Sequence, residues 1–223
     1  MRSEAVVEGR FIVIEGLDGA GSTTQAGILK NWFATQSIPV LLTWEPADGP
    51  VGSLLRLILA GRVVNLPREG EASPPGEAVL ALLFAADRLD HLDNRVLPAL
   101  EKGMNVISDR YYLSSLAYQT LDHGLNLDWV RQVNARCRRP DLTIYLDVAP
   151  AECHRRMLAQ GRHLELYEEV SKLEQVRDNY LRVIHLLLDE GEDIRVVDGG
   201  LPAEDVSAAV AQAVKGLLER SSD

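Results

Sequence analysis

The sequence predicts an α/β protein built on a parallel, doubly wound sheet. Two observations carry this expectation. Short apolar runs rich in β-branched residues alternate with segments of helical periodicity along most of the chain, the pattern of successive β–α units. The first run, Phe11-Ile12-Val13-Ile14-Glu15, passes directly into a glycine-rich stretch from Gly16 to Thr24 and then into an amphipathic segment ending near Gln36. Glycines let the backbone curl so that successive N–H groups face inward, and the helix that follows adds its positive end. A strand, such a turn and a helix together form a cradle for phosphate.

The remaining elements follow in order. Residues 39–43 are a short apolar strand, and 51–61 read as a helix with Leu54, Leu55, Ile58 and Leu59 on one face. Residues 68–76, with two prolines and two glycines, read as a loop. Residues 77–102 carry one long helical pattern whose apolar stripe is Leu82, Leu89, Leu92, Val96 and Leu100. Strands are expected at 105–109, 143–147 and 194–198, and a last helix at 202–219. Ligands of open parallel sheets bind at the carboxyl ends of the strands. That rule gathers Gly16, Glu45, Asp109, Arg110 and Asp147 along one edge.

The chain has 223 residues, 46% of them hydrophobic, enough for one domain with a substantial core. A net charge of −10 argues against a broad basic surface and therefore against nonspecific nucleic-acid binding. Cys137 and Cys153 show neither CxxC nor metal spacing and read as reduced thiols. No apolar run is long enough to span a membrane, and the N-terminus has no signal-peptide pattern. A cytoplasmic protein is expected.

The candidate chemistry begins at the first loop. Gly16 and Gly21 bracket four residues, and Thr23 stands where the Walker A pattern puts its magnesium-binding hydroxyl, but Ser22 occupies the lysine position. Asp109 and Arg110 close an apolar strand. The carboxylate suits hydrated magnesium and the guanidinium suits a forked grip on phosphate. Asp147 has the same strand-end setting without the arginine and reads as structural. On the long helix Phe84, Arg88, His91 and Arg95 share a face. Either Phe84 stacks a base whose edge Arg88 bonds, or the aromatic packs under a loop while the arginines meet carboxylates such as Asp87 and Asp90. Residues 150–162 hold Arg155, Arg156 and Arg162, read as a basic lid hinged at Gly161 or as a solvated face with pairs such as Glu152–Arg156.

These motifs together resemble the thymidylate kinase group of nucleoside-monophosphate kinases. The resemblance rests on 14–21, on Glu45-Pro46, on Leu83-Phe84-Ala85-Ala86-Asp87-Arg88, on Asp109-Arg110-Tyr111 with Ser114, Ser115 and Ala117-Tyr118-Gln119, and on 139–147. It implies a three-layer P-loop NTPase fold: a five-stranded parallel sheet flanked by helices, in a single domain over 1–223 with a core at about 10–215 and a short lid at about 155–170. It also implies transfer of the γ-phosphoryl group of ATP to dTMP with Mg2+, and a homodimer formed through helices.

Carried over by position, Gly16, Leu17, Asp18, Gly19, Ala20, Gly21, Ser22, Thr23 and Thr24 would hold ATP, and Thr23 and Asp109 the metal. Asp18, Glu45, Phe84, Arg88, Arg110, Tyr111, Ser115 and Gln119 would hold dTMP. Phe84 would stack on thymine, Arg88 would bond its carbonyl edge, Arg110 would grip the acceptor phosphate and Tyr111 would help exclude a ribose 2′-hydroxyl. Asp18, Arg110, Arg156 and Arg162 would serve catalysis. Ser22, Trp44 and Leu166 depart from the group's pattern, each removing a cation from where phosphate charge gathers. Three expectations therefore stand at this stage: a kinase whose missing charge comes from Arg155, Arg156 or Arg162, a nucleotide-binding homologue without useful turnover, and a kinase for another pyrimidine nucleotide.

Overall fold

The computed structural model describes residues 8–64, 75–121, 124–159 and 166–220, with backbone alone at 166–169. Five strands, β1 (Phe11–Gly16), β2 (Val40–Trp44), β3 (Asn105–Asp109), β4 (Leu142–Asp147) and β5 (Ile194–Asp198), form one parallel sheet in the order β2-β3-β1-β4-β5. β1 is central, and every residue in it is buried. That explains its unbroken apolar run, since a central parallel strand is covered on both faces and has no reason to alternate.

The helices are α1 (Ser22–Thr35), α2 (Pro50–Leu59), α3 (Glu77–His91), α4 (Leu97–Glu101), α5 (Tyr112–Tyr118), α6 (Leu127–Val133), α7 (Pro150–Ala159), α8 (Leu166–Asp189) and α9 (Ala203–Glu219). From the centre, β1 connects to β2 on one side, whereas the later strands step the other way. Right-handed crossovers then place α1 on one face and α2 to α8 on the other. α9 joins α1, and α5 packs on α8. The core is continuous through the sheet, from Leu29 and Phe33 of α1 and Val210 of α9 to Val176 and Val183 of α8.

Two sequence expectations are corrected. The second helix runs Pro50–Leu59 and buries Leu55 and Ile58, while Leu54 and Leu59 are exposed. The long helix is not one uniform element. A π turn at Leu92–Val96 separates α3 from α4 and shifts the stripe, so Leu92, Val96 and Leu100 are buried but Leu82 is exposed. An extra residue per turn advances every later side chain around the axis, which a strict 3.6-residue template does not anticipate. Arg95 is accordingly exposed while Arg88 and His91, on the same expected face, are buried. Most of the loop expected at 68–76 lies outside the described residues.

Candidate active site

The carboxyl ends of β1, β2 and β3 open on a cavity of about 1190 Å³ lined by residues 17–26 of the first β–α junction, by Trp44 and Glu45, by Asp109 and Arg110, and by Arg155 and Arg156. A volume above the range usual for one small ligand, roughly 300–1,000 Å³, leaves room for two substrates side by side. The register explains the gathering, because Trp44 pairs with Asp109 and Ile14 pairs with Asp109 from the other side.

The loop owes its shape to two glycines with left-handed backbone, Gly19 (φ 84°) and Gly21 (φ 97°). A Cβ on Gly19 would stand 2.5 Å from the Cys153 carbonyl oxygen, so α7 lies directly against the loop. Gly21 caps α1 without any side-chain bond, and the first turn of α1 has no acidic residue. Its amides and its positive end are left for an anion. Ser22, in the lysine position, is buried and supplies no charge.

Thr23 Oγ1 donates to Asp109 Oδ2 at 2.5 Å, while Asp109 Oδ1 is buried with no partner among the described residues. A hydroxyl and a half-satisfied carboxylate at the mouth of the phosphate cradle are the hard oxygen donors Mg2+ takes, the remaining positions going to water and phosphate. The residues present therefore fit that ion. Arg110 has left-handed backbone (φ 71°), a strained state for a side chain of this kind, and it turns the chain sharply at the end of β3. Its Nη2 donates to Asp18 Oδ1 at 2.7 Å, its Nη1 to Ser114 Oγ at 3.3 Å, and its guanidinium lies 5.6 Å over the Tyr118 ring. Donor loop and acceptor-side arginine thus meet across the cavity floor.

Arg156 reaches the loop from α7, donating to Glu152 (2.7 Å), to the Ala20 carbonyl (3.2 Å) and to the Gly199 carbonyl (3.2 Å). Arg155 bonds Glu152 through two donors, each at 2.7 Å. Hydrogen bonds from Arg155 and then Arg156 hold the Glu152 carboxyl down at about 2. One carboxylate facing two guanidiniums leaves net positive charge at the rim. Arg162 lies outside the described residues, as do the side chain of Leu166 and the hinge expected at Gly161.

Away from this cavity sits a second constellation. Arg88 is 1% exposed, and its Nε and Nη2 grip Glu45 Oε2 at 2.9 and 2.8 Å. Nη1 donates to Asn134 Oδ1 at 2.5 Å, Nη2 also reaches Ser115 Oγ at 3.2 Å, and the guanidinium lies 5.3 Å over the Tyr111 ring. His91 Nδ1 meets Glu45 Oε1 at 3.3 Å, and its Nε2 meets Thr43 Oγ1 at 2.7 Å. The Glu45 segment is pinned from both flanks: the Ala47 amide donates to Asp87 of α3 at 2.9 Å, and Arg56 of α2 donates to the Pro46 carbonyl at 2.9 Å. Arg88 therefore pairs with Glu45 rather than with Asp87 or Asp90. Tyr111 is buried with its hydroxyl donated to the Arg138 carbonyl at 3.1 Å. Phe84 is half-buried, and Gln119 Oε1 is buried with no partner among the described residues. Phe84, Arg88, Tyr111, Ser115 and Gln119 do not line the large cavity. Only Asp18, Glu45 and Arg110 of the proposed acceptor set do.

A glycine cradle at the first β–α junction, a hydroxyl–carboxylate pair beside it and an arginine facing it on the next strand define a P-loop phosphotransferase, and the comparisons narrow the class to a nucleoside-monophosphate kinase. The family model described as thymidylate kinase matches residues 14–210. The chain is 41% identical over 213 residues to a probable thymidylate kinase of Pyrococcus abyssi, covering 95% of this chain and 98% of that one. It is 37% identical over 215 residues to the thymidylate kinase of Cutibacterium acnes, covering 95% and 99%, and 34% identical over 224 residues to that of Alkalilimnicola ehrlichii, covering 96% of each. The chain belongs to the thymidylate kinase family.

Asn134, Thr43 and Glu15 escaped the sequence reading. Asn134 ends α6, far along the chain from Arg88, and no local pattern links the two. Glu15 did leave a signal: a carboxylate closing an otherwise apolar buried strand demands a partner. Asp147 is held by Arg177 in a fork at 2.6 and 2.8 Å, in keeping with a structural place.

Proposed function

We propose that this chain transfers the γ-phosphoryl group of ATP to dTMP, giving dTDP and ADP. The observation that carries the reading is the shared cavity. In it the amide cradle of the first junction faces Arg110 across Asp18, so a donor phosphate and an acceptor phosphate can approach in line. The cradle binds the triphosphate, Arg110 grips the acceptor phosphate, and Arg155 and Arg156 supply the positive charge that Ser22 does not. Mg2+, when bound at Thr23 and Asp109, bridges phosphate oxygens and neutralises their charge. Arg88, locked by Glu45, Asn134 and Ser115, keeps one Nη1 hydrogen for the carbonyl edge of a pyrimidine, with Phe84 one helical turn away as the stacking surface.

The test is a coupled assay of ADP release with ATP, Mg2+ and dTMP, run beside dUMP, dCMP and thymidine. Turnover of about 1–100 per second with dTMP as the preferred acceptor supports the reading. Binding of dTMP by calorimetry without turnover assigns the chain to nucleotide binding alone. Preference for another acceptor reassigns the base pocket. A homodimer is part of the same proposal, supported by exposed Leu54, Leu57 and Leu59 on α2 and Val79 and Leu82 on α3. Sedimentation at micromolar concentration tests it.

A further inference from the structure

The geometry points to Glu15 as a positioning residue that sets Arg110 for the acceptor phosphate, with its grip switched by protonation of the Glu15 carboxyl. The inference rests on the kinase reading above but concerns a residue to which that reading gives no role. Glu15 is fully buried one position before the glycine loop. Its Oε1 accepts from the amides of Tyr111 (2.9 Å) and Ser114 (3.2 Å), and its Oε2 accepts from Ser114 Oγ (2.6 Å) and Tyr180 OH (3.2 Å). Ser114 Oγ is also where Arg110 Nη1 lands. Tyr180 OH lies 2.9 Å from Ser114 Oγ and 3.4 Å from the Gly16 carbonyl. One carboxylate thus ties together the first loop, the strained turn that carries Arg110, and α8.

The proton count makes this arrangement state-dependent. All four donors point at Glu15, which suits a carboxylate and not a carboxylic acid. With Glu15 ionised, Ser114 gives its single proton to Oε2 and keeps lone pairs facing Arg110. With Glu15 protonated, its own O–H must find an acceptor, and the nearest is Ser114 Oγ. Ser114 then accepts where it had donated, competes with Arg110 for the same lone pairs, and Arg110 loses a nearby negative charge as well. Burial pushes the Glu15 carboxyl up to about 7, partly offset by Ser114, by Arg110 and by the two backbone amides. The other groups facing the cluster are Arg110 from the β3–α5 turn, Asp18 beyond it on the first loop, Tyr118 of α5, Tyr145 of β4 and Tyr180 of α8. Burial pushes all three phenols above their ordinary range, Tyr118 to about 12, so none of the tyrosines titrates near neutrality with Glu15.

The experiment measures kcat and the acceptor KM from pH 5.5 to 8.5 for the wild type, Glu15→Gln and Tyr180→Phe, with melting temperatures at each pH. In parallel, the carboxyl carbon of Glu15 is titrated by NMR in 13C-glutamate-labelled protein. A phosphomonoester itself titrates near about 6, so that inflection remains in every variant and serves as the internal control. The expected wild-type profile has a second inflection near 7, below which the acceptor KM rises by up to about tenfold per pH unit while the ATP KM stays level. Glu15→Gln is expected to raise the acceptor KM at high pH and to remove that inflection. Tyr180→Phe, which keeps the carboxylate but deletes one donor to it, is expected to shift the inflection upward. Superimposed wild-type and Glu15→Gln profiles with normal wild-type turnover would overturn the inference and leave the kinase reading standing. A wild type inactive at every pH would sink the kinase reading instead. The NMR titration needs no turnover, and a midpoint at the ordinary carboxylate value overturns the inference in either case.

Discussion

Glu45 and Arg88 form an ion pair whose side chains are 3% and 1% exposed, and that burial makes an unequal mutational response inevitable. In Glu45→Leu the guanidinium loses both of its close carboxylate bonds, at 2.9 and 2.8 Å, and keeps only the neutral acceptors Asn134 and Ser115. An uncompensated buried charge of this kind costs about 3–5 kcal/mol. For a chain of this length that corresponds to a fall of about 6–20 °C in Tm, a large share of a total stability of about 5–15 kcal/mol. Arg88→Met leaves the Glu45 carboxylate facing His91 alone and should cost a comparable amount. In Glu45→Leu/Arg88→Met no charge remains to be desolvated, so the double variant should be more stable than Glu45→Leu. Urea unfolding of the four proteins closes the cycle, and calorimetry with dTMP runs beside it, because the restored double variant should still fail to bind the pyrimidine. Double-variant destabilisation equal to the sum of the singles would refute the reasoning, as would a Glu45→Leu loss below about 1 kcal/mol.

Three other outcomes follow from the same site. Arg110→Ala should lower kcat/KM for dTMP by the equivalent of at least about 3–4 kcal/mol, since an aimed donor is lost; wild-type kinetics in the coupled assay would remove Arg110 from the acceptor site. Ser22→Lys should raise kcat less than about tenfold if Arg155 and Arg156 already supply the charge, because tenfold corresponds to only about 1.4 kcal/mol of barrier; a steeper gain in single-turnover rate would show that they do not. Stability should fall as pH rises from 4.5 through about 7, because the folded chain holds a proton on Glu15 that the unfolded chain releases earlier. The change is on the order of 3 kcal/mol, and chemical denaturation at pH 5 and pH 8 should show it in the wild type but not in Glu15→Gln.

The local sequence was enough for the alternation of strands and helices, for the cradle at Gly16 to Thr24 and for the pairing of a strand-end Asp109 with Arg110, because each is written in contiguous residues. A buried strand must be apolar, a left-handed turn must have glycine, and a polar group that ends a strand must serve the edge where strands end. The same logic misplaced Leu54, Leu59 and Leu82, because periodicity locates an apolar face but not what covers it, and because one π turn re-aims everything after it.

Long-range choices belonged to the fold alone. That Arg88 turns to Glu45 and Asn134 rather than to Asp87, and that Glu15 gathers Tyr111, Ser114 and Tyr180, depends on elements separated by 43 to 165 positions in the chain. A buried charge takes whichever partner the packed helices bring within about 3 Å. Side-chain type announced that Arg88 and Glu15 needed partners, and only the closing of α3, α6 and α8 over the sheet selected them.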